Sequence, residues 1–333
     1  MARAEFAILG AGAIGSILAA HLARAGHSVV VLARGDRARA VERDGLRIKG
    51  LSDFSVPVEV ITDPSRLQAA DTLIVATKTP GTEAALERLR HVQVEVALSI
   101  QNGVLKDELL AQTFGAARVL GALADTSGEL LPSGEVLFTR NVNMPVGELP
   151  GGISERAQRL AGMIDGAGVR STAVANILSM EWSKFTVWLG LVCMAVTTRS
   201  ASWRYLSDAD CAHVLVRLVR EVARVAQAKG IALVDNAASL PLGTVIHASE
   251  RDAVEAILRV GDNMRLRAPD HRMSALQDLE AGRPLEIEET FGYATRQARE
   301  LELPLPLVDA FYHLVAGIDH ARRDHPRGED LRA

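Results

Sequence analysis

A glycine-rich turn near the start of the chain has the spacing that binds dinucleotide phosphates. Its pattern, G-x-G-x-x-G, directly follows an apolar run at residues 5–9 and opens a helical pattern. The first glycine permits the tight turn, the second admits a pyrophosphate close to the backbone, and the third lets helix and strand pack closely. Amides at the helix start then face the phosphates. The predicted cofactor-binding residues of the turn are Gly10, Ala11, Gly12, Ala13, Ile14 and Gly15.

The context of this turn gives it weight, because the glycine pattern alone also occurs in ordinary α/β turns. A second apolar run, residues 28–33, follows the helical pattern and completes a strand–turn–helix–strand unit. Proteins that bind FAD share the same opening. The motif therefore indicates a dinucleotide without saying which one.

The residue after the second strand predicts the identity of the dinucleotide. Proteins that bind NAD usually carry an acidic residue there, which holds the ribose 2′-hydroxyl. This chain has Arg34 instead, and a guanidinium pairs with a 2′-phosphate in a bidentate manner. We therefore predict NADPH rather than NADH. The alternative is that Arg34 is a solvated loop residue.

The elements that position the turn belong to a predicted doubly wound Rossmann domain, residues 1–174. Runs at 71–77 and 95–100 predict further buried strands, which are followed by Lys78 and Asn102. Strand ends at one edge of such a sheet converge on the ligand crevice. We therefore expect Lys78 and Asn102 to lie along the same cofactor as the glycine turn. Alternatively, both are ordinary turn residues.

The rest of the pattern predicts an α/β domain followed by an all-helical domain, residues 175–333. Further elements predicted in the first domain are short strands between 35 and 61, strands at 119–124, 136–138, 143–146 and 169–173, and helices at 82–89 and 154–164. Helices predicted in the second domain are 177–196, 209–229, 252–267, 274–281 and 286–301. A charged tail, predicted to be frayed, follows Ala321.

The composition excludes several classes of function. The 333 residues carry a formal net charge of −4 without a long basic run, which argues against a nucleic-acid or membrane partner. The two cysteines, Cys193 and Cys211, fit neither a zinc site nor a disulfide framework. The nine histidines show no ligand spacing, so we predict no metal. These features lead us to expect a cytoplasmic protein in a reducing compartment.

The motifs along most of the chain resemble those of the ketopantoate reductase (2-dehydropantoate 2-reductase) family. Besides the glycine turn and Arg34, the shared segments are Thr77-Lys78, Gln101-Asn102-Gly103, Trp182-x-Lys184, Ser274-x-x-Gln277-Asp278 and Gly282-Arg283-x-x-Glu286-Ile287-Glu288. The motifs of the second domain are more specific than the glycines, because an unrelated Rossmann protein would lack them in this order. The resemblance implies reduction of a small-molecule 2-keto acid to a 2-hydroxy acid by NADPH.

The resemblance also implies roles for individual residues. Hydride transfer to a ketone builds negative charge on the carbonyl oxygen, which a protonated amine stabilises and protonates. Lys184 lies in an otherwise apolar helical segment, where a lysine is costly unless paired. Glu286 is the implied partner that orients the ammonium and binds the hydroxyl side of the substrate. Ser274 would bind the substrate carboxylate, while Asn102 and Lys78 would position the nicotinamide ribose and the substrate.

Each of these residues has a structural alternative. Lys184 would be a surface lysine whose stem covers apolar neighbours. Glu286 would be a solvated acid favoured by a helix dipole, and Ser274 would only be the N-cap of the following helix.

Two positions depart from the family pattern and leave the substrate open. The family usually carries asparagine one and two helical turns after the lysine, where this chain has Trp188 and Val192. Trp188 shares a helix face with Lys184 and is predicted at the wall of the substrate site, where it favours a bulkier apolar 2-keto acid. The alternatives are that Trp188 packs into the core, or that the protein senses NADPH without turnover. The sequence determines neither the stereochemistry of the product nor whether the protein forms a homodimer.

Overall fold

The computed structural model describes residues 2–235 and 239–324, which form two compact units. The first unit extends to Leu178 and the second begins at Ser179, within the first turn of a long helix that starts at Ile177. The first unit is an α/β domain built on a parallel sheet, and the described residues of the second are helical. This architecture confirms the predicted fold class, a Rossmann domain followed by a helical domain.

A five-stranded parallel sheet forms the centre of the first unit. Its strands are β1 (Ala2–Leu9), β2 (Val29–Leu32), β5 (Glu59–Ile61), β6 (Leu67–Val75) and β7 (Gln93–Ser99), in the order β5-β2-β1-β6-β7. Neighbouring residues of β1 belong to two hydrophobic cores: Phe6 and Ile8 to one, Ala7 and Leu9 to the other. Both faces of the sheet are therefore covered, which explains why its strands are continuous apolar runs.

A second sheet, which the sequence does not predict, completes the first unit. Its strands are β3 (Leu46–Gly50), β4 (Phe54–Val56), β8 (Leu120–Ala122), β9 (Asp125–Leu130), β10 (Val136–Glu148) and β11 (Ser171–Ala173). Strand β10 is continuous over 13 residues, whereas the sequence predicts two strands, at 136–138 and 143–146. Its middle residues, 139–143, are polar except for the exposed Val142, and antiparallel pairing with β9 rather than burial keeps them extended. Strand β9 is itself polar, so no apolar pattern marks it.

Five α-helices belong to the first unit: α1 (Ala13–Arg24), α2 (Gly35–Asp44), α3 (Thr82–Glu87), α4 (Leu105–Phe114) and α5 (Glu155–Gly166). Helix α2 contradicts the prediction that only short strands follow Arg34, although β3, β4 and β5 lie within the predicted range. Only Ala38 and Val41 of α2 are buried, and they are one helical turn apart. So few apolar positions give a weak periodic signal, and packing against the core selects the helix.

The described residues of the second unit include α6 (Ile177–Thr198), α7 (Ser202–Leu206), α8 (Ala209–Ala228), α9 (Leu242–His247), α10 (Glu250–Arg267), α11 (Ser274–Glu280), α12 (Tyr293–Glu300) and α13 (Pro306–Asp324). The predicted helix over 286–301 begins two residues later than predicted, and its first turn, Glu288–Gly292, is π-helical and leads into α12. Helix α13 is not predicted from the sequence. In the first turn of this helix, the amide of Val308 donates a hydrogen bond of 2.9 Å to the Glu221 carboxylate of α8. The tail predicted to be frayed begins after Ala321, but residues 322–324 belong to α13, so the prediction is wrong for them. The rest of the tail lies outside the described residues. No helix within 2–235 or 239–324 is long and apolar enough to cross a bilayer.

A buried histidine couples the stability of the first unit to pH. His21 of α1 is 1% exposed, and its Nδ1 lies 3.0 Å from the Ala167 carbonyl oxygen. Because a carbonyl only accepts, Nδ1 carries the proton, and Nε2 has no hydrogen-bond partner among the described residues. Burial lowers the pKa of His21, the Ala167 carbonyl partly opposes this, and the positive charge of Arg24 adds to it. The folded protein therefore disfavours protonation of this ring, which is neutral at neutral pH.

We expect this histidine to make the protein less stable in acid. The unfolded chain takes up a proton near the ordinary pKa of about 6.5, which the folded ring resists. The free energy of unfolding should therefore fall below pH 6.5, by at most about 1.4 kcal/mol per pH unit from this group. Denaturant titrations between pH 5 and 8 should show this slope reduced in His21→Leu and retained in the control His91→Gln, whose histidine is exposed. Equal slopes in wild type and His21→Leu would exclude His21 as the cause.

Candidate active site

The glycine turn lies at the carboxyl end of β1 and leads directly into α1. Gly10 has a φ of +110°, and a Cβ there would lie 2.8 Å from Thr77 Cγ2. A Cβ on Gly15 would lie 2.1 Å from the Gly10 carbonyl oxygen, so only glycine allows this approach of helix and turn. Gly12 is the N-cap of α1, and it has no side chain that could accept a hydrogen bond from the first amides of the helix. The space beside Gly12 is open, because the nearest atom to a Cβ there would be the Ala76 carbonyl oxygen at 4.0 Å. This open side and the uncapped amides fit a pyrophosphate.

The other three residues of the turn are less accessible than Gly12. Ala11 is buried, whereas Ala13 and Ile14 are half-buried. Helix α1 has no acidic residue in its first turn, so the helix itself places no carboxylate beside a phosphate there.

Three strand ends bring the predicted residues of the first unit to one edge of the parallel sheet. The amides of Ala76 and Ile100 donate to carbonyls of the neighbouring strands, at 2.9 and 3.0 Å, and so extend the sheet beyond β6 and β7. Lys78 and Asn102 come two residues after Ala76 and Ile100, on the same edge as the glycine turn. Lys78 is exposed and Asn102 is half-buried. Their contact with a cofactor stays a prediction.

Gln101 fastens the two loops together, a role that the sequence does not reveal. Its buried side-chain amide donates to Thr77 Oγ1 at 3.1 Å, to Thr82 Oγ1 at 2.7 Å and to the Lys78 carbonyl at 3.2 Å. Its carbonyl oxygen accepts from the Ser99 hydroxyl at 3.0 Å. The loop that carries Lys78 is therefore held against the end of β7. In the sequence, the only indication that Gln101 is important is its position in the motif Gln101-Asn102-Gly103.

Arg34 lies where the sequence predicts a 2′-phosphate contact, at the N-cap of α2. Its side chain is exposed and forms no hydrogen bond or ion pair with any described residue. The nearby Asp36 pairs with Arg39. Arg34 thus lies two residues beyond the end of β2, and no carboxylate of the described residues neutralises its guanidinium. Such a guanidinium fits an anionic group better than a ribose hydroxyl.

Lys184 and Glu286, the predicted catalytic residues, both lie in the second unit. Lys184 is half-buried on α6, and Glu286 is 8% exposed just before the π-helical turn. The Trp182 ring packs edge-on against Phe185, with centroids 5.9 Å apart, and contacts the Tyr293 ring at 6.4 Å. Tyr293 begins α12, so α6 lies beside the segment that follows Glu286. Pairing of the ammonium with the carboxylate stays a prediction.

Buried hydrogen bonds fix the chain on both sides of Glu286. Before it, the amide of Leu285 donates to Asp319 Oδ1 at 3.3 Å, and Asp319 also pairs with Arg323. After it, the buried Thr290 hydroxyl, which belongs to the π-helical turn, donates back to the Glu286 carbonyl. Such turns shift the register of a helix and are frequent at functional sites. The backbone that carries the carboxylate is therefore held rigidly.

The two residues predicted to bind substrate differ in exposure. Ser274 is exposed and is the first residue of α11. Its alternative role as N-cap is wrong, because the N-cap is Met273 and no side chain caps the helix. Trp188 is 8% exposed and Val192 is 3% exposed, so both are largely packed inside the protein. Contact of Trp188 with substrate stays a prediction.

Neither cysteine is a candidate nucleophile. Cys193 is buried, and burial raises the pKa of its thiol. Burial, reinforced by the Asp208 carboxylate, raises the pKa of Cys211 to about 11. Both thiols are therefore protonated at neutral pH. Within the described residues, no group of three or more histidine, cysteine, aspartate or glutamate side chains is placed to hold a metal ion.

A Rossmann unit whose glycine turn fits a pyrophosphate, followed by a helical unit, is the architecture of a dinucleotide-binding protein. Comparison with family models specifies it further. The model described as ketopantoate reductase PanE/ApbA matches residues 6–151, and the model of the C-terminal part of that family matches residues 176–319. The chain belongs to the ketopantoate reductase family, which confirms the resemblance seen in its motifs.

Individual relatives match nearly the whole chain. The 2-dehydropantoate 2-reductase of Mycobacterium tuberculosis is 30% identical over 314 residues, which cover 93% of this chain and 96% of that protein. The corresponding protein of Archaeoglobus fulgidus is 28% identical over 312 residues, 94% of this chain and 97% of that one. Among solved structures, a PanE/ApbA family ketopantoate reductase from Ralstonia eutropha JMP134 has a TM-score of 0.81 at 25% identity, covering 97% of this chain and 100% of that one.

Proposed function

We propose that this chain reduces a 2-keto acid to the 2-hydroxy acid with NADPH, and that its nominal substrate is 2-dehydropantoate, which yields pantoate for pantothenate biosynthesis. The observation that carries this proposal is the match over 93% or more of the chain to proteins named 2-dehydropantoate 2-reductase. The positions of the predicted site residues support it.

In this reaction Lys184 stabilises the charge that develops on the substrate carbonyl oxygen and donates the proton that the oxygen takes up. NADPH, when bound by the first unit, would supply the hydride that the carbonyl carbon takes up. Lys184 is suited to the role because it is half-buried on an apolar helix, where an ammonium interacts more strongly than in water. One hydride and one proton together convert the ketone to the alcohol.

Glu286 and Ser274 orient the other reacting groups. The Glu286 carboxylate accepts a hydrogen bond from the Lys184 ammonium and holds the hydroxyl side of the substrate. Its rigid backbone, bonded at Leu285 and Thr290, preserves this orientation. Ser274, exposed at the start of α11, donates its hydroxyl to the substrate carboxylate.

The first unit contributes the residues that hold the cofactor. The amides of the glycine turn bind the pyrophosphate, and Arg34 binds the 2′-phosphate. Lys78 and Asn102 follow neighbouring strands on the same edge of the sheet and position the nicotinamide ribose, and Asn102 also contacts the substrate. Gln101 keeps these two loops together.

Loss of NADPH absorbance on addition of a 2-keto acid tests the proposal. Purified protein should oxidise NADPH with ketopantoate and form pantoate in equal amount. A panel that includes ketoisocaproate and other 2-keto acids would identify the preferred substrate. NADPH binding without turnover of any member would contradict the proposal and support the NADPH-sensing alternative.

Replacement of Trp188 tests whether the substrate is the nominal one. If Trp188 borders the site, as its place one turn beyond Lys184 predicts, an asparagine there restores a polar group for ketopantoate. We expect Trp188→Asn to raise the ratio of kcat/KM for ketopantoate over ketoisocaproate about ten-fold, since apolar pockets discriminate by only a few kcal/mol. Melting temperatures of both proteins control for packing loss, because Trp188 is 8% exposed. If the wild-type protein strongly prefers ketopantoate and the variant has the same preference, Trp188 packs in the core and does not contact the substrate.

A further inference from the structure

Arg37, in the first turn of α2, ties three separate segments of the first unit together. Its Nε donates to the Ala11 carbonyl of the glycine turn at 2.8 Å. One terminal nitrogen donates to Ser16 Oγ at 2.9 Å, and the other to the Gly134 carbonyl at 2.8 Å, in the turn between β9 and β10. The Ser16 hydroxyl itself donates to the Ala11 carbonyl at 3.1 Å. Two donors therefore converge on one carbonyl of the glycine turn.

The electrostatic surroundings of Arg37 are unusual for a half-buried cation. All of its partners are neutral, and no carboxylate in the described part of the chain pairs with it. Burial lowers the pKa of Arg37, and the positive charge of Arg47 acts in the same direction. Partial burial of a guanidinium without an acid is costly, so packing alone does not account for the arrangement.

The Ala11 carbonyl matters because of the peptide plane to which it belongs. A trans peptide is planar, so its C=O and the N–H of the next residue point in opposite directions. Fixing the Ala11 carbonyl therefore fixes the direction of the Gly12 amide. Gly12 has no side chain to limit its rotation, and it is the N-cap that offers its open side to a phosphate.

We propose that Arg37 is a positioning residue for the cofactor: it locks the Ala11–Gly12 peptide so that the amides of the glycine turn face the pyrophosphate. The inference rests on the proposed binding of NADPH to this turn. It separates Arg37 from Arg34, because NADPH and NADH both have a pyrophosphate, whereas of these two only NADPH has a 2′-phosphate. Loss of Arg37 therefore weakens NADPH and NADH alike.

Dissociation constants of NADPH and NADH, measured for Arg37→Met and Arg37→Lys, test this role. Met keeps the unbranched stem of the side chain, about as far as Nε, without a donor. We expect both dissociation constants to rise about ten-fold, the scale of one lost charge-assisted hydrogen bond. Lys keeps one donor and should restore part of the affinity. With cofactor at saturation, kcat should stay near that of the wild type, because the substrate residues are untouched.

Arg47→Met is the matched control. Arg47 donates to the Ser133 carbonyl at 2.5 Å and so binds the same β9–β10 turn, but it makes no hydrogen bond to the glycine turn. It should leave both dissociation constants unchanged. If Arg37→Met does not fold, Ser16→Ala removes the other donor to the Ala11 carbonyl and should weaken both cofactors equally, by a smaller factor.

Several results would overturn the inference, and they are distinct from one another. A loss confined to NADPH would make Arg37 a ligand of the 2′-phosphate. If Arg37→Met has a lower melting temperature but unchanged dissociation constants, Arg37 contributes to stability and does not position the cofactor. An equal loss in Arg47→Met would assign the effect to the β9–β10 turn. A wild-type protein that binds neither dinucleotide would remove the proposed function together with this inference.

Discussion

Lys184→Ala should lower kcat by about 100-fold or more, the scale of a lost general acid and charge stabiliser. The variant loses both the proton for the carbonyl oxygen and the positive charge beside it. Steady-state rates at saturating NADPH and 2-keto acid measure the effect. NADPH binding should survive, because the glycine turn and Arg34 belong to the first unit, which ends at Leu178.

Lys229→Ala is the matched control for this prediction. Lys229 is an exposed lysine of the same unit at the end of α8, where it contacts Gln297. Its loss should leave kcat unchanged. Full activity of Lys184→Ala would remove Lys184 from the mechanism. Loss of NADPH binding in that variant would instead indicate that the second unit had misfolded.

Arg34→Ala should raise the KM for NADPH ten-fold or more and leave that for NADH nearly unchanged. A charge-assisted hydrogen bond contributes about 1.5–3 kcal/mol, which corresponds to roughly 10- to 100-fold in affinity. Arg34 is exposed and forms no ion pair with the described residues, so its removal does not disturb the fold. Initial rates against each cofactor give both constants.

Arg39→Ala controls for a change of net charge on the same helix. Arg39 is exposed and already pairs with Asp36, so we expect the preference between the cofactors to persist. Together with Arg37→Met, this series separates the 2′-phosphate contact from the geometry of the turn. Use of NADH by the wild-type protein as efficiently as NADPH would refute the assignment of Arg34.

The sequence by itself determined the elements whose signals are local. The glycine spacing after β1 requires a turn with positive φ, and Gly10 has it at +110°. Continuous apolar runs identified the buried parallel strands, and long amphipathic patterns identified α8 and α10. The order of the motifs was specific enough to identify the family. In each case the constraint acts between residues that are close along the chain, so their types and spacing carry it.

Only the tertiary structure decided how these elements are held together. Gln101 and Arg37 act through partners distant in sequence: Thr77 lies 24 residues from Gln101, and Gly134 lies 97 residues from Arg37. Strand β9 has no apolar pattern of its own and exists because β10 pairs with it. The first turn of the helix after Glu286 is π-helical. Such features depend on which hydrogen-bonding groups meet after the chain has folded, and local propensity contains no information about that meeting.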